Sequence, residues 1–231
     1  MPEINSIPYE NAEDLNLYLY DNYYSTENIV EITTLTGFLR YNLFELSHET
    51  GVTQNSTCKT YYDLNYFNPL YGQAVWKCYM NSMDDVKAFF GFKETLADPI
   101  FPSDGPMVES HAGFIVDEGK LYASVGNGTD QQYVEIVGID MTRVENYKIE
   151  YNKFFIEPLP ETRETMGIPG ILTTFPLIVR DFKLMTELTN YPPENVTHYI
   201  MQFIKNNVGA DKKIKFNRFI FREVYADYRK W

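Results

Sequence analysis

Residues 111–151, HAGFIVDEGKLYASVGNGTDQQYVEIVGIDMTRVENYKIEY, constrain the fold more than any other part of the chain. Short apolar runs alternate with polar residues, and Gly-rich or acidic turns divide them. Leu121, Ala123 and Val125 share one face of an extended strand, as do Val134 and Ile136, and then Tyr147, Ile149 and Tyr151. Side chains in a strand return to the same face every second residue, so this spacing predicts antiparallel strands with one buried face.

The same pattern predicts further strands at 29–34, 38–46, 59–66, 74–80, 86–92, 113–116, 120–125, 133–137, 146–151, 154–157, 177–184, 198–206 and 213–225. Ala74, Trp76, Cys78 and Met80 form one apolar face. Ile214 and Phe216 share a face, whereas Phe219 and Phe221 fall on the other, so the last strand needs a bulge or two covered faces. Proline cannot donate to a strand ladder, which makes 98–106 and 157–176 loops; the second is long enough to grip a neighbour. No linker or repeat divides the chain. The expectation is an arm with a first edge strand at 1–28 and a single β-sandwich domain at 29–231.

Composition narrows the partners. The net charge of −12 repels nucleic-acid phosphates and anionic bilayers, so neither nucleic acid nor membrane insertion is expected. No apolar run approaches the roughly 20 residues that span a bilayer. The opening MPEINSIPYENAEDL lacks the basic and apolar segments of a secretory signal, which predicts a cytoplasmic chain or one carried in a particle such as a virion. Cys58 and Cys78 lie in strand-like segments; adjacent strands could bring them into disulfide range, or both stay buried free thiols. Sequons stand at Asn55, Asn127 and Asn195.

Several segments, in order, resemble the concanavalin A-like lectin/glucanase (LamG-like) superfamily. YYDLNYFNPLYGQAVWKCYMNSMDDVKAFFGFKE is similar to its paired central strands, and HAGFIVDEGKLYASVGNG and VEIVGIDMTRVENYKIEY to the strands that follow. HYIMQFIKNNVGADKKIKFNRFIFREVY resembles the closing pair, with the turn at 206–213 as its most specific element. The resemblance implies an all-β fold, a two-sheet antiparallel jelly roll with ligands on its concave face.

Glycan hydrolases of that family carry alternating carboxylates on one strand, because retaining cleavage needs two carboxyls about 5–5.5 Å apart. The matching stretch here, 109–118, reads ESHAGFIVDE and has no such triplet. Asp117 and Glu118 read as turn residues, Glu135 as a solvent-facing one, and Glu145 and Glu150 lack a partner two residues away. His48, His111 and His198 accompany no nucleophile motif; Glu109 with His111 is the one acid/base pairing on offer. Calcium would have to use Asn127, Thr129 and Asp130, or Asp98 and Asp104, yet GNGTD also reads as a plain tight turn, and no cofactor is expected. An aromatic platform for a sugar would use Phe90, Phe92, Lys93, Glu94, Tyr122 and Tyr133.

These readings predict a non-enzymatic structural or surface protein, such as a virion component that binds copies of itself or other capsid proteins. The alternatives are a carbohydrate-binding module that attaches to surface glycans, and an atypical glycoside hydrolase.

Overall fold

The computed structural model describes residues 29–42, 45–62, 72–143, 145–157, 182–193 and 195–223. The strands among them are β1 (Ile29–Thr34), β2 (Phe38–Asn42), β3 (Glu45–Glu49), β4 (Thr57–Tyr62), β5 (Gly72–Met80), β6 (Val86–Lys93) and β7 (His111–Asp117). They continue with β8 (Lys120–Gly126), β9 (Gln131–Glu135), β10 (Glu145–Glu150), β11 (Lys153–Glu157), β12 (Lys183–Glu187), β13 (Tyr199–Asn206) and β14 (Lys213–Glu223). Sheet A runs β1-β4-β13-β6-β7-β8-β9 and sheet B runs β12-β11-β10-β5-β14-β3-β2. Every pairing is antiparallel, so the all-β sandwich expected from the alternation is what forms. Among the described residues no helix is long and apolar enough to cross a membrane.

The inner faces of the two sheets meet in one apolar core. Trp76 of β5 is fully buried there with Phe90, Phe92, Phe114, Tyr147 and Phe216. Phe90 lies edge-on to Trp76 at 5.6 Å between centroids, to Tyr147 at 5.5 Å and to Phe216 at 5.8 Å, and stacks on Phe114 at 5.2 Å. Edge-to-face and offset contacts of this kind suit the ring quadrupoles.

Some boundaries differ from the sequence reading. The strand expected at 38–46 is a hairpin of β2 and β3, the one at 59–66 begins earlier as β4, with 63–66 outside the described residues, and the described end of the one at 177–184 belongs to β12, which runs on to Glu187. β14 shifts register between Phe216 and Arg218, which brings Phe219 opposite Trp76 and Phe221 opposite Ala74. The bulge resolves the phase conflict read in that strand. Val134 sits opposite Ala123 on the core side but is 40% exposed, because β9 is the last strand of the sheet among the described residues. The arm at 1–28 and most of the long loop at 157–176 lie outside the described residues.

Cys58 belongs to sheet A and Cys78 to sheet B, and both are free and buried. The possible disulfide is thereby corrected: the two cysteines face the core from different sheets rather than from adjacent strands.

Candidate functional site

Strand β6 is buried along its whole length, so both faces of sheet A are covered at its centre. Its inner face is the core. Its outer face holds Phe89, Ile115, Met201 and Phe203, and these close around Phe101 and Met107 into a second apolar cluster. Both of the added residues come from 94–110, the segment linking β6 to β7. That segment is therefore a strap laid across the sheet. Gly113 makes room for the Phe89 ring under the strap: a Cβ there would stand 2.2 Å from that ring.

Three lysines rising from the sheet hold the strap. Lys59 pairs with Asp98 at 2.7 Å, Lys87 with Asp104 at 2.5 Å and Lys93 with Glu109 at 2.5 Å. Asp117 accepts from the Ser103 amide at 2.7 Å and its hydroxyl at 3.0 Å. The Met107 amide donates to Gln131 Oε1 at 2.7 Å. Glu94 closes the neck of the strap, its amide donating to Ser110 O at 2.9 Å and its carboxylate accepting from the Ser110 amide at 3.3 Å.

Beneath the neck is a buried polar cluster. Lys93 is fully buried and donates to Thr95 Oγ1 at 2.9 Å as well as to Glu109. Burial lowers its pKa, and Glu109 opposes that shift. His111 Nδ1 meets the backbone oxygen of Glu109 at 2.8 Å, and its Nε2 meets Ser124 Oγ at 2.8 Å. Gln131 Nε2 donates to the same Ser124 oxygen at 2.9 Å. Ser110 Oγ lies 2.7 Å from His198 Nε2. The acid/base pairing of His111 with Glu109 is corrected: the ring meets the main chain of Glu109, while the carboxylate is held by Lys93.

A third buried histidine sits between the sheets. His48 Nε2 lies 2.7 Å from Thr60 Oγ1, which donates to Gln202 Oε1 at 3.3 Å. Burial pushes both His48 and His111 down to about 3. Both imidazoles fold neutral, whereas the unfolded chain protonates them near pH 6.5. Unfolding between pH 3 and pH 6.5 therefore takes up protons, so stability falls as pH falls through that window. Moving from pH 7 to pH 5.5 is expected to remove about 2–3 kcal/mol through the pair. Glu145, whose carboxyl is raised by burial, acts in the opposite sense. Urea unfolding at the two pH values checks this, with His48→Gln expected to halve the dependence; identical midpoints in the wild type would contradict it.

The sequence-predicted site residues separate into groups. Phe90 and Phe92 are core residues with no outward surface, so they are corrected from platform to packing. Lys93 is the buried strap anchor and Glu94 the neck. Tyr122 and Tyr133 come together on the outer face, ring centroids 5.7 Å apart and nearly perpendicular. Tyr133 is 45% exposed, and Tyr122 leans on the strap-covered cluster. Lys120 and Glu135 pair beside them at 3.1 Å. The Glu118–Gly119 turn, with φ of 49° and 77°, closes the β7–β8 hairpin next to Asp117 and Ser103. The outcome is a rim at β8–β9: two tyrosine rings flanked by the Lys120–Glu135 ion pair and by the Asp117 carboxylate of β7 with its Ser103 hydroxyl partner.

Lys120, Ser103 and Gln131 were not singled out from sequence, and Glu135 was read only as a solvent-facing residue. Lys120 and Tyr122, and Tyr133 and Glu135, are each two residues apart, so aligning the hairpin would have shown four side chains on one face.

The calcium candidates do not converge. Asn127 Oδ1 accepts from Thr129 N at 3.0 Å, Thr129 Oγ1 at 2.9 Å and Asp130 N at 2.8 Å, a self-contained Asx turn. Asp98 and Asp104 are engaged by lysines. Among the described residues no group of three or more His, Cys, Asp or Glu could hold a metal.

No protein-family model matches the sequence, and no characterised protein does. Solved structures match the fold. The Emp46p carbohydrate recognition domain in its potassium-bound form matches 90% of this chain and 95% of its own, with a TM-score of 0.57 and 5% identity. The legume lectin-like domain from Entamoeba histolytica matches over 87% and 92%, with a TM-score of 0.56 and 10% identity. The exoplasmic/lumenal domain of VIP36 in its Ca2+/Man3GlcNAc-bound form matches over 90% of each chain, with a TM-score of 0.56 and 8% identity. At such identities the likeness is one of fold. The sandwich has the concanavalin A-like architecture of legume lectin-like domains.

Proposed function

We propose that this chain is a non-catalytic carbohydrate-binding domain whose site is the β8–β9 rim of sheet A. The observation that carries the reading is the fold match to carbohydrate recognition domains along most of the chain. The rim adds suitable chemistry. Tyr133 offers a ring face to the C–H side of a sugar, and Lys120, Glu135 and Ser103 offer hydrogen bonds to its hydroxyls. The net charge of −12 favours neutral glycans over anionic ones.

The strap supports a binding role over hydrolysis. Asp98, Asp104, Glu109 and Asp117 are each engaged by a group of the chain itself, and none is left as a member of an open acid pair. The virion-component reading rested on the lack of a secretory signal and of a catalytic carboxylate triplet, on the acidic, Tyr- and Asn-rich composition, and on residues 1–28 and 157–176, almost all outside the described residues; the fold likeness does not support it.

A glycan microarray tests the proposal. The wild type is expected to bind a subset of neutral glycans. Tyr133→Ala should weaken that binding roughly 2- to 10-fold, the range of a single aromatic contact, with no change in folding. Absence of binding to every glycan would end the carbohydrate reading; equal binding by Tyr133→Ala would move the site off the rim.

A further inference from the structure

A second aromatic pair stands on the other side of strand β9. The β10–β11 hairpin closes through the two-residue turn Tyr151–Asn152, and Tyr151 adopts a φ of 58°. Glycine or asparagine takes that conformation at little cost, whereas a bulky ring there is an outlier. The Tyr151 ring stacks on Tyr191, with centroids 5.2 Å apart and planes 12° from parallel. Tyr191 still keeps 48% of its surface exposed. The Tyr191 ring is thus propped on one side while about half of the residue stays open to solvent.

The loop bearing Tyr191 is fastened through the three residues that precede it. The Leu188 amide donates to Asn152 O at 3.0 Å, and the Asn152 side-chain amide donates back to Leu188 O. Gln132 Oε1 accepts from Thr189 N at 2.7 Å, Thr189 Oγ1 at 3.1 Å and Asn190 N at 3.0 Å. Pro192 follows directly and is buried, restricting Tyr191 to extended backbone. The ring is therefore presented by a loop tied to both sheets, which limits the ordering cost of binding.

The connection to the rim is short. Gln132, which holds this loop, is the chain neighbour of Tyr133. Following the bonded path through Gln132 and Asn190, the two tyrosine Cα atoms lie no more than about 17 Å apart, with 3.8 Å for each consecutive Cα step.

We propose that Tyr191, backed by Tyr151, is a second sugar subsite, and that the ligand is a neutral oligosaccharide running around the β9 edge from Tyr133 to Tyr191. This rests on the carbohydrate-binding reading and adds to it the length of the ligand. Two stacking platforms on rigid supports favour an extended chain over a single sugar, because the second ring binds within a complex already formed.

The test uses the full chain on an array of neutral glycans displayed as mono-, di-, tri- and longer oligosaccharides. Wild-type binding is expected to rise about 10-fold or more from the shortest to the longest members of a series it recognises. Tyr191→Ala should abolish that gain while leaving binding of the short members unchanged, and Tyr191→Phe, which keeps the ring face, should preserve it. Thermal unfolding of both variants controls for folding. A length gain that survives in Tyr191→Ala, or no length gain in the wild type, overturns the second subsite and leaves the rim intact. No binding of any glycan by the wild type overturns the subsite together with the carbohydrate reading.

Discussion

Replacing Phe90 with alanine is expected to remove about 3–5 kcal/mol of stability, enough to leave a domain of ordinary stability largely unfolded. The ring is fully buried and packs against Trp76, Phe114, Tyr147 and Phe216, which belong to both sheets. Those neighbours are themselves large and in contact, so they cannot collapse into the space left behind. The cost is the lost transfer of the ring plus the cavity. Phe90→Leu, which refills much of the volume, should recover more than half of it. Urea unfolding with tryptophan fluorescence reads both. A Phe90→Ala protein as stable as the wild type would show that the ring is not in the core, and would reopen its reading as a ligand platform.

Glu109→Ala should cost a comparable amount, about 3–5 kcal/mol, by a different route. The Lys93 side chain is fully buried, and Glu109 is its carboxylate partner at 2.5 Å. Removing the acid leaves, among the described residues, an ammonium group hydrogen-bonded to Thr95 O and Oγ1, with the Asp98 carboxylate as its remaining counter-charge. A buried charge without its counter-charge is far more costly than an absent pair. The double variant Lys93→Met with Glu109→Gln should therefore be more stable than Glu109→Ala alone. The same pair ties the strap to β6, so limited proteolysis should cut Glu109→Ala within 94–110 while sparing the wild type. Equal stability of Glu109→Ala and wild type, or a double variant no better than the single one, would show that the pair holds nothing in place.

Much of the fold could be read in advance because most strands have one dry face. Leu121, Ala123 and Val125 alternate with polar residues, and all three are buried. The reading failed where that asymmetry is missing. In β6, VKAFFGFK, the strap covers one face and the core the other, so Phe90 and Phe89 look alike in sequence although one is core and the other lies under the strap. The strap was recognisable as a loop from its prolines, but not its position, since Lys59 meets Asp98 39 residues away. The rim was half legible. Tyr122 and Tyr133 were singled out, yet nothing local separates them from core aromatics. Tyr191 was hidden altogether, because its prop, Tyr151, lies far off in the chain and had been counted toward the buried face of its strand.

The two thiols have a practical use. Cys58 and Cys78 are sealed inside different layers, and burial raises both well above the ordinary thiol range. Both line the one core between the sheets, so a thiol-alkylating reagent can reach either only when the structure around it opens. Site-resolved labelling rates would then tell whether the two halves of the sandwich come apart in one concerted event or peel away separately, with no probe added to the molecule.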